Sequence, residues 1–285
     1  MGEREYYSVR TGKNPVGKRL NLPFLKRLFI TVYNDFYYRD YFQEAFGYSC
    51  VDAGDVPGKL GSDIEAYILR KLRKTGLWPI TANCEDYKEE DLFDIIEFLF
   101  DQVSKPRTTG GYYHSYGDCG WHYKYFDKKS GQDEFRAEIN QLLLDYGSGY
   151  ELSAEGEILN LPETGMAPLL EAQLAKCDPE NVKARVDNAI LKFRRYRSST
   201  EERREAVREL ADVLEFLRPK LKDVITSNDE SDLFNIANNF GIRHHNQKQK
   251  IDYDQSVWLP WMFYYYLGTI HAVLILIENK EKVSS

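Results

Sequence analysis

Residues 240–254 read FGIRHHNQKQKIDYD, and two of the chain's five histidines stand side by side there, directly after an arginine. Arg243 offers a planar, permanently charged fork that matches a phosphate, and His244 or His245 can move protons at neutral pH. Such a set suffices for metal-independent RNA cleavage. One histidine takes the proton of a ribose 2′-hydroxyl, the freed oxygen attacks the adjacent phosphorus, and arginine stabilises the charge that builds up. Asn246, Lys248 and Lys250 extend the polar surface toward an RNA backbone. The plain alternative is that Arg243 pairs with an acid such as Asp252 while the histidines cap a helix end.

Two further groups have suggestive types and spacing. His114, Cys119 and His122, with Cys84 or Cys50 as a fourth ligand, offer the nitrogen and sulfur donors that zinc accepts in tetrahedral geometry. Their spacing matches no closed structural zinc pattern, so from sequence alone we expect neither metal nor cofactor. Tyr112, Tyr113, Tyr116, Trp121 and Tyr123 surround them and either stack on bases or a nucleotide or, the reading we favour, pack against the neighbouring bundle. The basic run Lys192 to Arg197 contributes Arg194, Arg195 and Arg197, with Arg203 and Arg204 close behind. It grips RNA only if it shares a side with Arg243; otherwise it decorates a solvated face beside Glu201 and Glu202. His271 is read as a core histidine. There is no Walker A loop, no GxGxxG after a strand, no HExxH and no GxSxG, so nucleotide hydrolysis, hydride transfer and serine hydrolysis lack their usual residues.

The elements that must position these residues are mostly helical. Over 285 residues, 42% are apolar and 14% aromatic, with 21 Tyr against 15 Phe, which implies broad, partly polar interfaces. A net charge of −7 excludes a uniformly basic nucleic-acid coat but leaves room for a local basic patch. The four cysteines show no CxxC, and residues 1–20 form a charged lead-in with neither a secretory signal nor a myristoylation motif. Both point to the cytoplasm. Helical spacing runs over 22–46, through Leu25, Leu28, Phe29, Val32 and Phe36, and Pro23 suits a first turn. CVDAGDVPGKLG reads as a loop, Ser62 with Glu65 as a capping box before a helix that Gly76 closes, and EEDLFDIIEFLFDQVSK as a helix stopped by Pro106. Residues 110–131 make an ordered loop or a short strand pair, 133–146 a helix, and GYELSAEGEILNL a hairpin turning at 154–156.

The three prolines of 161–180 suggest a linker between an N-terminal domain, 1–160, and a C-terminal one, 181–285. The latter holds four helical patterns, over 181–196, 200–221, 229–245 and 255–280, arranged as an up-down bundle. The second carries Leu210, Val213, Leu214 and Leu217 on one face. Val257 to Ile277 has no acid, lysine or arginine and is long enough to span a bilayer. Pro260, Thr269, His271 and three tyrosines fit a buried bundle helix better than a tail anchor. The fold class expected is therefore mainly α, a helical N-terminal domain with a small β element followed by a helical bundle, with no membrane partner.

NIANNFGIRHHNQKQKIDYDQSVWLPWMFYYYLGTIHAVL resembles the HEPN-superfamily helical domains of bacterial phage-defence and toxin proteins. LGSDIEAYILRKLRKTGLWPI, EEDLFDIIEFLFDQVSKP and FRAEINQLLLDYGSGYELSAEGEI are similar to the N-terminal module of AbiJ-type abortive-infection proteins. The resemblance implies a HEPN-like four-helix domain and a ribonuclease that works as a homodimer, with two copies of an Arg-polar-xxx-His motif facing each other. Arg243 matches the motif arginine and His244 the polar position after it. Near the position of the motif histidine this chain has Lys248, Gln249 and Lys250, so His244 or His245 must serve from a shifted register. Without that, the bundle only dimerises or binds a partner, as a sensor or assembly module. A regulatory protein partner goes with either role.

Overall fold

The computed structural model describes residues 6–13, 20–222, 224 and 254–284. The fold is mainly α with small strand pairs, and the chain divides into two compact units, Met1–Leu161 and Pro162–Ser285.

In the first unit, helix α1 (Leu22–Tyr38) starts where the Asn21 side chain accepts the Phe24 N–H at 3.1 Å, with Pro23 in its first turn. It buries Leu25, Phe29, Tyr33 and Phe36, while Leu28 is exposed. The single helix expected over 22–46 is broken, because Asp40 adopts φ +60° and a second, four-residue helix follows at Gln43–Phe46. Helix α2 (Ile64–Leu72) is capped by Asp63, which accepts the Ala66 N–H at 2.9 Å, so the cap is one residue later than Ser62. Helix α3 (Glu89–Gln102) lies at the centre of this unit's core and buries seven residues, Leu92, Phe93, Ile95, Ile96, Phe98, Leu99 and Phe100. It stops before Pro106 as expected.

Helix α4 (Lys128–Leu144) begins five residues before the expected Asp133, because Asp127 caps it by accepting the Ser130 N–H at 3.0 Å. Gly131 then lies inside a helix rather than ending a loop. A Cβ there would come within 2.7 Å of the Ser104 and Lys105 backbone, so the close approach of α4 to that segment requires glycine.

Among the described residues the strands form four antiparallel pairs: β1 (Gly47–Cys50) with β2 (Gly54–Pro57), β3 (Lys105–Arg107) with β6 (Tyr125–Asp127), β4 (Tyr112–His114) with β5 (Gly120–His122), and β7 (Tyr150–Leu152) with β8 (Ile158–Asn160). The segment expected as a loop, CVDAGDVPG, thus supplies a hairpin. Gly47 at its base has φ +86° and ψ −164°, a conformation essentially restricted to glycine, and a Cβ there would lie 2.0 Å from the Val56 carbonyl oxygen. Residues 105–127 form one interrupted ribbon: β3–β6 is its base and β4–β5 its tip. Between them the ascending strand has two more residues than the descending one, and Gly110 and Gly111 take up the bend.

The second unit is a helical bundle. Asp178 accepts the Glu180 and Asn181 N–H groups and opens a π-helical turn, Pro179–Lys183, that runs into helix α5 (Ala184–Arg194). Helix α6 (Thr200–Leu221) has the expected bounds because Ser199 and Glu202 form a reciprocal capping box. Its Leu210, Val213, Leu214 and Leu217 are buried as the spacing predicts. Helix α7 (Gln255–Ser284) buries Leu259, Met262, Phe263, Leu267, Ile270, Val273 and Leu274 in the same core, and Phe263 stacks on Phe193 at 4.0 Å between centroids. It is long and apolar enough to cross a membrane, yet one side of it is bundle core. The pattern over 229–245 lies outside the described residues. Of the segment 161–180, read as linker, the part from Pro162 onward belongs to this unit: Leu169, Leu170, Leu174, Ala175 and Cys177 pack against the bundle core.

Candidate metal centre

Arg243, His244, His245, Asn246, Lys248 and Lys250 lie outside the described residues. Of the basic run, Arg194 ends α5, Arg195 follows it, and Arg197 (φ +52°) sets its guanidinium 5.2 Å from the Tyr196 ring. Only Arg197 of these three is exposed; Arg194 and Arg195 are half-buried. Lys192 pairs with Glu209 at 3.4 Å and Arg204 with Glu201 at 2.8 Å, so acids neutralise part of the run.

The group that does converge is in the N-terminal unit. Cys50 ends β1, His114 ends β4, Cys119 immediately precedes β5 and His122 ends it. One ligand atom from each of the four lies within 4.8 Å of all the others. Two turns bring them together, the one after Cys50 and the tip 115–119 of the ribbon. Gly117 in the tip has φ +62°, and a Cβ on it would be 2.5 Å from Val51 Cγ1, so the turns touch where a larger residue would separate them. The buried Gln43 side chain ties the ribbon down, donating to the Trp121 carbonyl at 2.9 Å and accepting the Tyr123 N–H at 3.0 Å.

Hydrogen bonds decide which atoms face inward. His122 is 4% exposed; its Nδ1 lies 2.6 Å from the Tyr112 hydroxyl, and its buried Nε2 has no partner among the described residues. His114 Nδ1 lies 3.6 Å from Cys50 Sγ, and its Nε2 lies 3.3 Å from the Asp52 carboxylate. Backbone N–H groups of Asp52 and Ala53 hold the Cys50 thiol below its ordinary range, with His114 and Cys119 adding to the effect. The Val51 N–H donates to Cys119 Sγ at 3.3 Å. Each sulfur thus receives at least one backbone N–H, and each imidazole has its outer nitrogen held by an oxygen. Such surroundings favour thiolates and fix ring orientation.

Cys84 takes no part. It is buried beside the Lys26 carbonyl, 4.0 Å from its sulfur, and burial pushes its thiol up to about 11. Of the two alternatives for the fourth ligand, the fold selects Cys50, 64 residues from His114. Spacing does not reveal this, because the β1–β2 hairpin that presents Cys50 has the Gly, Pro and Asp content of a loop. Trp121 stacks on Tyr123 at 5.7 Å between centroids and meets Tyr113 edge-on at 5.8 Å, while Tyr112, Tyr113 and Tyr116 are exposed. The expectation that all five pack on neighbours holds only for part of the set.

Comparison with protein-family models, with curated proteins and with solved structures gives no match, so the fold and the site rest on this chain's own residues.

Proposed function

We propose that this chain is a phage-defence or toxin-type protein whose HEPN-like C-terminal bundle cleaves RNA, without a metal, as a homodimer. Arg243 binds and polarises the phosphate, and His244 or His245 serves as base and acid. The observation that carries the homodimer is on α7. Opposite its buried side it exposes Trp258, Trp261, Ile275 and Leu276, which fall at helical spacing on one stripe. An exposed, aromatic-rich apolar stripe of this kind suits a two-fold interface between identical subunits. The Arg243 segment belongs to the chain between α6 and α7, two helices of one core.

Growth after induced expression tests the reading, with total RNA examined in parallel for wild type, Arg243→Ala and the double variant His244→Ala/His245→Ala. Arrested growth with fragmented RNA, lost in both variants while helical content is kept, is the expected result. Trp261→Glu should give a monomer in sedimentation and lose the same phenotype. Intact RNA with the wild type expressed and folded counts against the nuclease.

A second reading, a non-catalytic sensor or assembly module, is favoured by the Cys/His cluster with exposed tyrosines around it in the N-terminal unit. Under that reading wild type, Arg243→Ala and the double histidine variant grow alike, and the wild-type bundle still dimerises.

A further inference from the structure

We propose that Cys50, His114, Cys119 and His122 bind one zinc ion in a closed, four-ligand structural site that staples the β1–β2 turn to the tip of the 105–127 ribbon. This inference is independent of the nuclease reading, since it concerns the N-terminal unit alone and assigns the metal no step in RNA cleavage.

The donor set comes first. Two thiols and two imidazoles are the ligands of structural zinc, a borderline-soft ion that takes four of them tetrahedrally. With Zn–S near ~2.3 Å and Zn–N near ~2.05 Å, a tetrahedron places S and N about 3.6 Å apart. Cys50 Sγ and His114 Nδ1 are 3.6 Å apart, and the remaining pairs stay within 4.8 Å. Closing on an ion therefore requires shifts of at most about 1 Å in side chains that already face one another.

The orphaned nitrogen is the second point. A buried imidazole nitrogen with no partner is costly unless something satisfies it. His122 Nε2 is in that position, and His122 belongs to the set of four residues whose ligand atoms lie within 4.8 Å of one another. A metal satisfies it. The outer contacts have the pattern that surrounds metal ligands: Asp52 on the far nitrogen of His114, the Tyr112 hydroxyl on the far nitrogen of His122, and backbone N–H groups on the sulfurs.

Two rival arrangements fit less well. Cys50, His114 and Asp52 are ordered like a nucleophile, a base and an orienting acid. However, Cys50 is 5% exposed, and the neighbouring cavity of about 180 Å³ reaches Cys119 without including Cys50 among its lining residues. A Cys50–Cys119 disulfide would leave both imidazoles without a role. Four protein ligands also leave zinc no open position, which makes the site structural rather than catalytic.

The full-length protein, prepared under reducing conditions, is assayed for metal by mass spectrometry, and the stripped protein is titrated with cobalt as an optical probe. One zinc per chain and the visible bands of a tetrahedral Cys2His2 cobalt site are expected. Cys50→Ser and Cys119→Ser should lose both, while Cys84→Ser and Cys177→Ser keep them. Because the first pair could unfold, hydrogen exchange on wild type supplies the second measurement. Peptides over 47–57 and 112–122 should lose protection on chelation and regain it with zinc, with α3 unchanged. The proposal falls if no zinc copurifies and cobalt gives no tetrahedral spectrum. It also falls if Cys84→Ser abolishes binding, or if air oxidation of the protein in the presence of zinc joins Cys50 to Cys119 in a disulfide.

Discussion

The packing of α7 can be tested by comparing two aromatic truncations two residues apart. Phe263 is fully buried and stacks on Phe193, whereas Trp261 is 43% exposed and stacks on Tyr265 along the helix surface. Phe263→Ala removes a core ring from a tightly filled site, a change that costs about 3–5 kcal/mol. Domains of ordinary stability hold only about 5–15 kcal/mol in total, so much of the C-terminal unit's reserve would go. Trp261→Ala should cost less, about 1 kcal/mol, because its ring is already partly solvated and lies outside the core. A two-unit chain does not melt as one state, so hydrogen exchange resolved by peptide is the suitable assay. Each 1.4 kcal/mol is about tenfold in the opening equilibrium, so Phe263→Ala should speed exchange in α5 and α6 peptides by roughly 10²- to 10⁴-fold and Trp261→Ala by less than about tenfold. Peptides of α3 in the other unit should not respond to either. Equal effects from the two variants, or less than about tenfold from Phe263→Ala, would refute the assignment of α7 as a core helix with one buried side.

Three other expectations follow from the same structure. Gly47→Ala puts a Cβ against the Val56 carbonyl oxygen in a glycine-only conformation, and should destabilise the β1–β2 hairpin by at least about 2 kcal/mol, read as lost protection over 47–57. Burial lowers the pKa of His271, so its neutral form is the one the fold prefers. The stability it contributes is complete above the unfolded value of about 6.5 and is lost as pH falls through that range; urea midpoints should drop toward pH 5 in wild type and drop less in His271→Gln. Cys84, with its thiol pushed up to about 11 by burial, should resist iodoacetamide at pH 8 in the folded protein and react once denatured, as mass spectrometry of the modified peptide can show. Rapid labelling of native Cys84 would contradict its placement.

What the sequence disclosed and what it concealed follows from how far apart the interacting residues are along the chain. Helix α6 was legible to the residue, since Ser199 and Glu202 are three apart and the leucine stripe repeats locally. The β7–β8 hairpin and the end of α3 before Pro106 were legible for the same reason. The start of α4 was missed because Gly131 reads locally as a breaker, and only the Ser104–Lys105 backbone pressed against it explains its place in a helix. The break at Asp40 has no local signal of comparable strength. The Cys/His cluster is the extreme case. His114, Cys119 and His122 were visible as a group, but the fourth member is 64 residues away, at the end of a strand whose pairing depends on glycines that look like loop residues. The Arg243 cluster is legible as chemistry in the sequence, and its residues lie outside those described.

The segment from Pro162 to Cys177 carries a consequence for modularity. Its leucines are seated on the bundle core, so they belong to the C-terminal unit in the way a cork belongs to its bottle. A recombinant fragment cut at 180, where the prolines end, would uncork that core and expose the apolar side of the bundle to water. Fragments, fusions and chimaeras that exchange one unit for another should therefore be joined between Leu161 and Pro162. A natural shuffling event that keeps the bundle core covered is bound by the same seam.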